Sequence, residues 1–195
     1  LPNDANEDDP TPFDPDPQVI GVSKEVTGFV LVGGTVYDVD YSLSVENFSP
    51  TTDATNVQVT DDLAAQLLAD GANLLSIEAG PTVVGGLTLD NAGTFTGSGA
   101  GASLEMLDGS QELAPLGIAT ITFTARIDTN GAAGPFNNQA TATTETDGGT
   151  VIYTDLSVNG ADPDPDGNND PSDDGGDTPF HPQVIGIAKA ITATR

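Results

Sequence analysis

Cysteine is absent from this 195-residue chain, so no disulfide can brace it, and nothing in the sequence reports its redox compartment. Tryptophan is absent too, and single copies of His and Met leave little for imidazole catalysis or for stacking on sugars and bases. Positive charge is scarce: 4 Lys+Arg stand against 30 Asp+Glu, a formal net charge of -26. A field of that sign repels phosphate, which excludes nucleic acid as a partner and disfavours an anionic membrane surface. No apolar run approaches the ~20 residues of a membrane helix, so membrane insertion of this segment is not expected. The chain opens at Leu1 in acidic sequence, without initiator Met or signal-peptide pattern, and is expected to be a slice of something longer.

The acid that is present is unevenly placed. Residues 1–16 hold Asp4, Glu7, Asp8, Asp9, Asp14 and Asp16, and residues 161–179 hold seven aspartates. The segment between them is rich in Thr, Val, Gly and Ala and can bury a core. The flanks cannot fold by apolar burial and need another source of order. Thr11-Pro12-Phe13, followed by Pro17-Gln-Val-Ile-Gly-Val-Ser-Lys24, returns as Thr178-Pro179-Phe180, followed by Pro182-Gln-Val-Ile-Gly-Ile-Ala-Lys189. The second block is offset by 165 residues, a domain-sized period. This predicts an acidic linker at 1–16, one full domain at 17–160, a second linker at 161–181 and the first strand of a next domain at 182–195.

Within the domain, Ile20, Val22, Lys24 and Val26 share one strand face. Residues 35–47 alternate, with Tyr37, Val39, Tyr41, Leu43 and Val45 on one side and Asp38, Asp40, Ser42, Ser44 and Glu46 on the other. A short strand at 56–60 runs into one short helix ending near Ala69, started by acid and stopped by Gly71. Strands are expected near 73–79 and 82–89, separated by Gly80-Pro81, and at 118–127; residues 90–112 are expected to be mostly loop. A hairpin is expected over 136–146 and 150–156, turning at Asp147-Gly148-Gly149. Strands at this spacing predict an all-β, Ig-like β-sandwich with acidic calcium-binding linkers at both ends.

The calcium expectation rests on Asp162, Asp164, Asp166, Asp170 and Asp173 with Gly167 directly after the third. In the EF-hand register, positions 1, 3 and 5 supply carboxylates, Gly at 6 makes the turn, and Asn168 at 7 offers its carbonyl. Pro163, Pro165 and Pro171 exclude helix–loop–helix, so the spacing resembles the serial calcium repeats of the thrombospondin type-3 kind. The competing reading is a solvated acidic linker.

Tyr41-Ser-Leu-Ser-Val-Glu-Asn47, Asn56-Val-Gln-Val-Thr-Asp61, Leu113-Ala-Pro, Ala119-Thr-Ile-Thr-Phe123 and Asn138-Gln-Ala-Thr-Ala142, after an early Lys24, occur in the order that Ig-like repeats of very long prokaryotic surface proteins show. The chain resembles that family over most of residues 19–145. It departs where Leu116 intrudes before Gly117 and where residues 147–160 extend the sandwich. The resemblance implies an extracellular spacer or adhesin stalk rather than one activity.

Lys24 is the only lysine before Lys189, and it faces the core, where a lone amine is costly unless paired. In-phase partners are Asp61, Asn138 and Asn47. Lysine, asparagine and a carboxylate on facing strands resemble the set that surface domains use for intramolecular Lys–Asn isopeptide bonds. A buried ion pair with Asp61 and a snorkelling strand-end lysine are the alternatives. His181 is expected to be a linker residue, Gly97-Ser-Gly-Ala-Gly101 lacks the lysine of a phosphate loop, and Asp38 with Asp40 is read as a solvated strand face rather than a cation or hydrolase pair.

Two functions follow. One is a structural repeat of an extracellular or cell-surface adhesin or filament, its linkers stiffened by calcium and its partners neighbouring repeats or identical subunits. In a filament, residues 182–195 would enter a neighbour's sheet, although the duplicated lysine strand gives one slot two claimants. The other is a calcium-dependent carbohydrate or surface-binding module, for which 3 Tyr and no Trp make a poor platform. No enzyme activity is expected.

Overall fold

The computed structural model describes residues 20–89, 94–145 and 152–182. The expected linker at 1–16, the turn at 147–149, and the strand at 182–195 beyond Pro182 lie outside these residues.

The alternation of residues 36–47 does what period two requires: β2 (Val36–Asn47) buries Tyr37, Val39, Tyr41, Leu43 and Val45 on one face. It lies between β1 (Ile20–Gly33) and β6 (Ile118–Asp128), whose Ala119, Ile121, Phe123, Ala125 and Ile127 are buried in the same phase. The strands between them in sequence are β3 (Ala54–Thr60), β4 (Asn73–Val84) and β5 (Gln111–Leu113). The described residues continue with β7 (Phe136–Asn138), β8 (Thr141–Glu145), β9 (Ile152–Leu156), β10 (Val158–Asn159) and β11 (Thr178–Phe180). A five-stranded sheet has the order β10-β1-β2-β6-β4 and a four-stranded sheet β5-β3-β8-β9; β11 pairs with β7. The inward faces of both sheets form one core, so the fold is an all-β sandwich.

The short helix α1 (Leu63–Ala69) is capped by Asp62, whose carboxylate accepts from Ala65 N, and it gives way at Gly71 with φ 87°. Two expectations need correction. The strands foreseen at 73–79 and 82–89 are replaced by one edge strand, β4, which stops at Val84 and in which register shifts absorb Gly80-Pro81. The strand foreseen over 136–146 is divided, because β7 pairs with β11 while β8 joins the other sheet.

A third difference concerns residues 161–181, read from composition as a linker. They lie against the sandwich. The segment folds over the outer face of β1, where Pro163 and Pro171 are buried. It ends in β11, whose Thr178 and Phe180 are 1% and 0% exposed. Phe180 packs edge-on against Phe29 at 5.3 Å and Tyr37 at 5.6 Å, and at a tilt on Phe136 at 6.1 Å. Composition hid this because four scattered residues, not a periodic stripe, hold the segment down.

Covering both faces of β1 explains why Gly21 and Ser23 are buried along with Val22 and Lys24. A Cβ on Gly21 would stand 2.6 Å from Phe48 and 2.8 Å from Pro171. Gly21→Ala is therefore expected to destabilise the fold by about 1–3 kcal/mol, because the prolines cannot retreat without lifting the segment. Urea unfolding checks this; an unchanged midpoint would show that the segment does not press on β1.

Candidate functional site

Lys24 sits mid-strand on β1, opposite Leu43 of β2 on one side and Asn159 of β10 on the other. Its side chain enters the core and is 0% exposed. Asp61 follows the last residue of β3, fixed by its backbone N–H donating to Leu104 O at 3.0 Å, and is 1% exposed. Asn138 ends β7 and is 0% exposed.

These three close a ring of contacts. Lys24 Nζ donates to Asp61 Oδ2 and to Asn138 Oδ1. Asn138 Nδ2 donates to Asp61 Oδ1 at 2.7 Å. Nζ also lies 4.4 Å from the Tyr41 ring centroid and 5.3 Å from that of Phe123, so aromatic faces wall the amine from water. Burial pushes the Lys24 pKa down, and the charge and hydrogen bond of Asp61 pull it partly back. Burial thus loosens the amine's hold on its proton, beside an amide and a carboxylate touching both.

Asn47, the other in-phase asparagine, is not part of this group. At the end of β2 it donates through Nδ2 to Thr52 O at 2.8 Å, Leu113 O at 2.9 Å and Ala114 O at 3.1 Å, and its Oδ1 accepts from Ser49 N at 3.0 Å. It latches two loops together. Strand phase put it on the correct face but four residues along from Leu43, the cross-strand neighbour of Lys24.

The acidic segment is organised around Asp164, which is 7% exposed. Its Oδ1 accepts from Gly167 N at 3.1 Å and Asn168 N at 3.2 Å, and its Oδ2 from Asn169 N at 2.8 Å. Gly167 and Asn169 turn the loop with φ 71° and 65°. The carboxylates that converge, one oxygen of each within 4.8 Å of the others, belong to Asp164, Asp166 and Asp174. Asp174 lay one residue past the sequence register. Asp162 instead accepts from Asp164 N at 3.1 Å, and Asp170 caps the short turn at Pro171–Asp173 through Ser172 N at 3.3 Å. Asn168 donates to Asp166 at 3.0 Å and to Asp173 at 3.2 Å.

The donors fit a hard cation. They are all oxygen, and Asp174 Oδ2 is buried without a hydrogen-bond partner among the described residues. Burial, then the charges of Asp166, Asp173 and Asp164, raise the Asp174 pKa. Burial, then Asp162 and Asp164, raise that of Glu46.

Asp155 of β9 escaped sequence reasoning, since one acid in a polar strand looks solvated. It is 4% exposed, accepts from Val22 N at 2.7 Å, and its pKa is pushed up to about 7, chiefly by burial. Asp38 is engaged by Arg126 through two bonds of 2.8 and 2.9 Å, and Asp40 accepts from Thr124 at 2.6 Å. Glu78 joins Arg126 at 3.0 Å. His181 is exposed.

No family model matches the chain, and no curated protein does. Among solved structures it is similar to a GH20 exo-β-N-acetylglucosaminidase from Vibrio harveyi (14% identity, TM-score 0.35), over 72% of this chain and 18% of that one. It is also similar to BcpA, in its D312A form, the major pilin subunit of Bacillus cereus (12% identity, TM-score 0.36), over 71% of this chain and 38% of that one. The chain thus spans well under half the length of either. At such identity and TM-score these likenesses carry no functional argument.

The raised carboxylates set the sign of a pH effect. A folded-state pKa of about 7 at Asp155, above its ordinary 3.8, contributes stability that is complete below the ordinary value and lost as pH rises through the folded one. With chelator present, the melting temperature is expected to fall between about pH 5 and about pH 8, and Asp155→Asn to flatten that slope. A rise over the same range would contradict the assignment.

Proposed function

We propose that this chain is a load-bearing spacer repeat of a large extracellular or cell-surface protein, braced by an amide between Lys24 and Asn138 and by calcium on its acidic segment. The observation that carries the reading is the sealed Lys24–Asp61–Asn138 group. An ion pair there would be a poor way to gain stability, because desolvating both charges cancels most of their attraction. A reaction that turns the amine into an uncharged amide removes the lysine's half of that desolvation cost.

In that reaction the neutral Lys24 Nζ attacks Asn138 Cγ. The new C–N bond forms, the Cγ–Nδ2 bond breaks, and ammonia leaves. One proton passes from Nζ to Nδ2, and Asp61 spans that route with Oδ2 at the nucleophile and Oδ1 at the leaving group. No oxidant or cofactor is required.

The placement suits tension. Force entering at Ile20 reaches Lys24 after four residues, and force at Phe180 reaches Asn138 through its pairing with Thr178. An amide between Lys24 and Asn138 would carry load across this short path and shield residues 25–137. A cysteine-free chain has no disulfide with which to do the same. Calcium, when bound by Asp164, Asp166 and Asp174, would neutralise charge that otherwise lifts the segment from β1.

Intact-mass spectrometry tests the amide: the protein is expected about 17 Da below its sequence mass, the loss of one ammonia, and Lys24→Ala and Asp61→Ala are expected at full mass. Full mass in the unaltered protein would remove the cross-link. For calcium, calorimetric titration of the whole chain is expected to show binding that Asp164→Ala with Asp166→Ala abolishes and Asp174→Ala weakens about tenfold or more. Undiminished binding in the double variant would sink the assignment.

A further inference from the structure

The hairpin of β1 and β2 turns at Gly34-Thr35, and just before that turn Val30, Leu31 and Val32 are each more than half exposed. Neighbours on a strand point to opposite faces, so both faces of the ribbon stand clear of the core. The outer edge of β1 is open there as well. Among the described residues its strand partner on that side is β10, which pairs with Ser23 and Lys24 alone. Single exposed aliphatics are ordinary, but three in a row on an open-edged tip make a contact surface. No charged residue stands between Val26 and Tyr37, in a chain whose net charge is -26.

The opposite end of the sandwich carries a second apolar projection. β1 begins there at Ile20, paired with Asn47, and the adjacent Glu46 pairs with Ile118 of β6. Leu116 and Ile118, on the approach to β6, are also more than half exposed. Leu116 has φ 53°, a left-handed conformation that disfavours a leucine, and its N–H donates to Ser49 O at 3.1 Å. The loop thus holds a large apolar side chain in solvent at a strained position. This end is the acidic one, since Pro163 and Pro171 of the acidic segment approach Gly21.

The path of the chain relates these two ends. β11 runs from the middle of β1 toward the tip: Thr178 bonds Lys24 O, while Phe180 packs on Phe29 and on Tyr37, the partner of Leu31. The chain therefore leaves the sandwich beside the hairpin tip and enters it at Ile20, roughly 35 Å away along one strand. At the offset of 165 residues, Ile185 repeats Ile20 and follows Phe180 by five residues. Five residues span at most about 18 Å, so the entry end of a following copy is tethered close to this tip.

We propose that Val30, Leu31 and Val32 at the exit end of one copy pack against Leu116 and Ile118 at the entry end of the next. This rests on the reading of the chain as one of several repeats and names the surfaces by which repeats meet. A charged tip would be repelled by the acidic entry end, and an uncharged one is not. The contact is heterologous, head to tail, so it extends along a row of copies instead of closing in a pair. The patch is small, and the short tether supplies the rest through a millimolar effective concentration.

Single-cysteine versions of the full chain test the contact, since the native chain has no cysteine of its own. Leu31→Cys is mixed in equal amounts with isotope-labelled Leu116→Cys at about 1 mM, the concentration a tether imposes, in salt that screens the charge. Under mild oxidation, mass spectrometry separates the mixed disulfide dimer from the two self-pairs. The mixed dimer is expected to exceed either self-pair about tenfold, against roughly twofold for random encounter. Leu31→Cys with Leu156→Cys, exposed on β9, is expected to give the random ratio. Circular dichroism checks folding, and Ile118→Cys replaces Leu116→Cys should the latter fail to fold. Absence of dimers, the random ratio, a preference for tip-to-tip self-pairs, or equal trapping at Leu156 each overturns the proposal. The mass deficit at Lys24 and the calcium titration are read on uncross-linked chains, so failure here is distinguishable from failure of the load-bearing reading.

Discussion

The first strand, the exit of β3 and the end of β7 converge on one buried amine. Lys24 lies in a core otherwise built of Val, Leu, Ile, Ala and aromatic rings, and an unmatched charge there would cost several kcal/mol. Its matching partners come from two other elements, the exit of β3 and the end of β7. Those two elements are themselves joined by the Asn138–Asp61 bond. The amine thus ties the first strand to the opposite half of the sandwich. A hydrophobic residue at 24 would pack without specifying which strand ends must meet.

That constraint explains the neighbouring architecture. The aromatic walls, Tyr41 and Phe123, stack at 5.1 Å from adjacent strands and close the site from the side. Strand β7 is brief because its last residue must present Asn138 while its other edge accepts β11. The acidic segment covers the outer face of β1 and keeps water from the strand that carries the lysine.

Much of this was legible in the sequence, for a physical reason. Period-two alternation set the buried faces of β2 and β6, and the same phase put Lys24, Asp61 and Asn138 on inward-facing positions. Phase alone gives the face and not the height along the strand, which is why Asn47 looked equivalent and is not. The acidic segment was the least legible part. Its order comes from isolated anchors, Pro163, Pro171, Thr178 and Phe180, and from carboxylates accepting backbone N–H groups. Neither leaves a periodic signal, so a charge-rich stretch resembled a linker. Asp155 was hidden for the same reason, since only the folded path brings it near other acids, whereas Asp174, beside Asp173 in sequence, fell one residue outside the cation-loop spacing.

One backbone oxygen links the two halves of this arrangement. Lys24 O accepts from Gly160 N at 2.9 Å and from Thr178 Oγ1 at 2.8 Å, the residues that bracket the acidic segment. Closing that segment therefore grips the strand at the residue whose side chain faces Asp61 and Asn138. Ordering of the loop and alignment of the amine become linked equilibria, and linkage is reciprocal. A shift of the acidic segment is therefore felt at the strand that carries the amine, and a shift of that strand is felt in the segment.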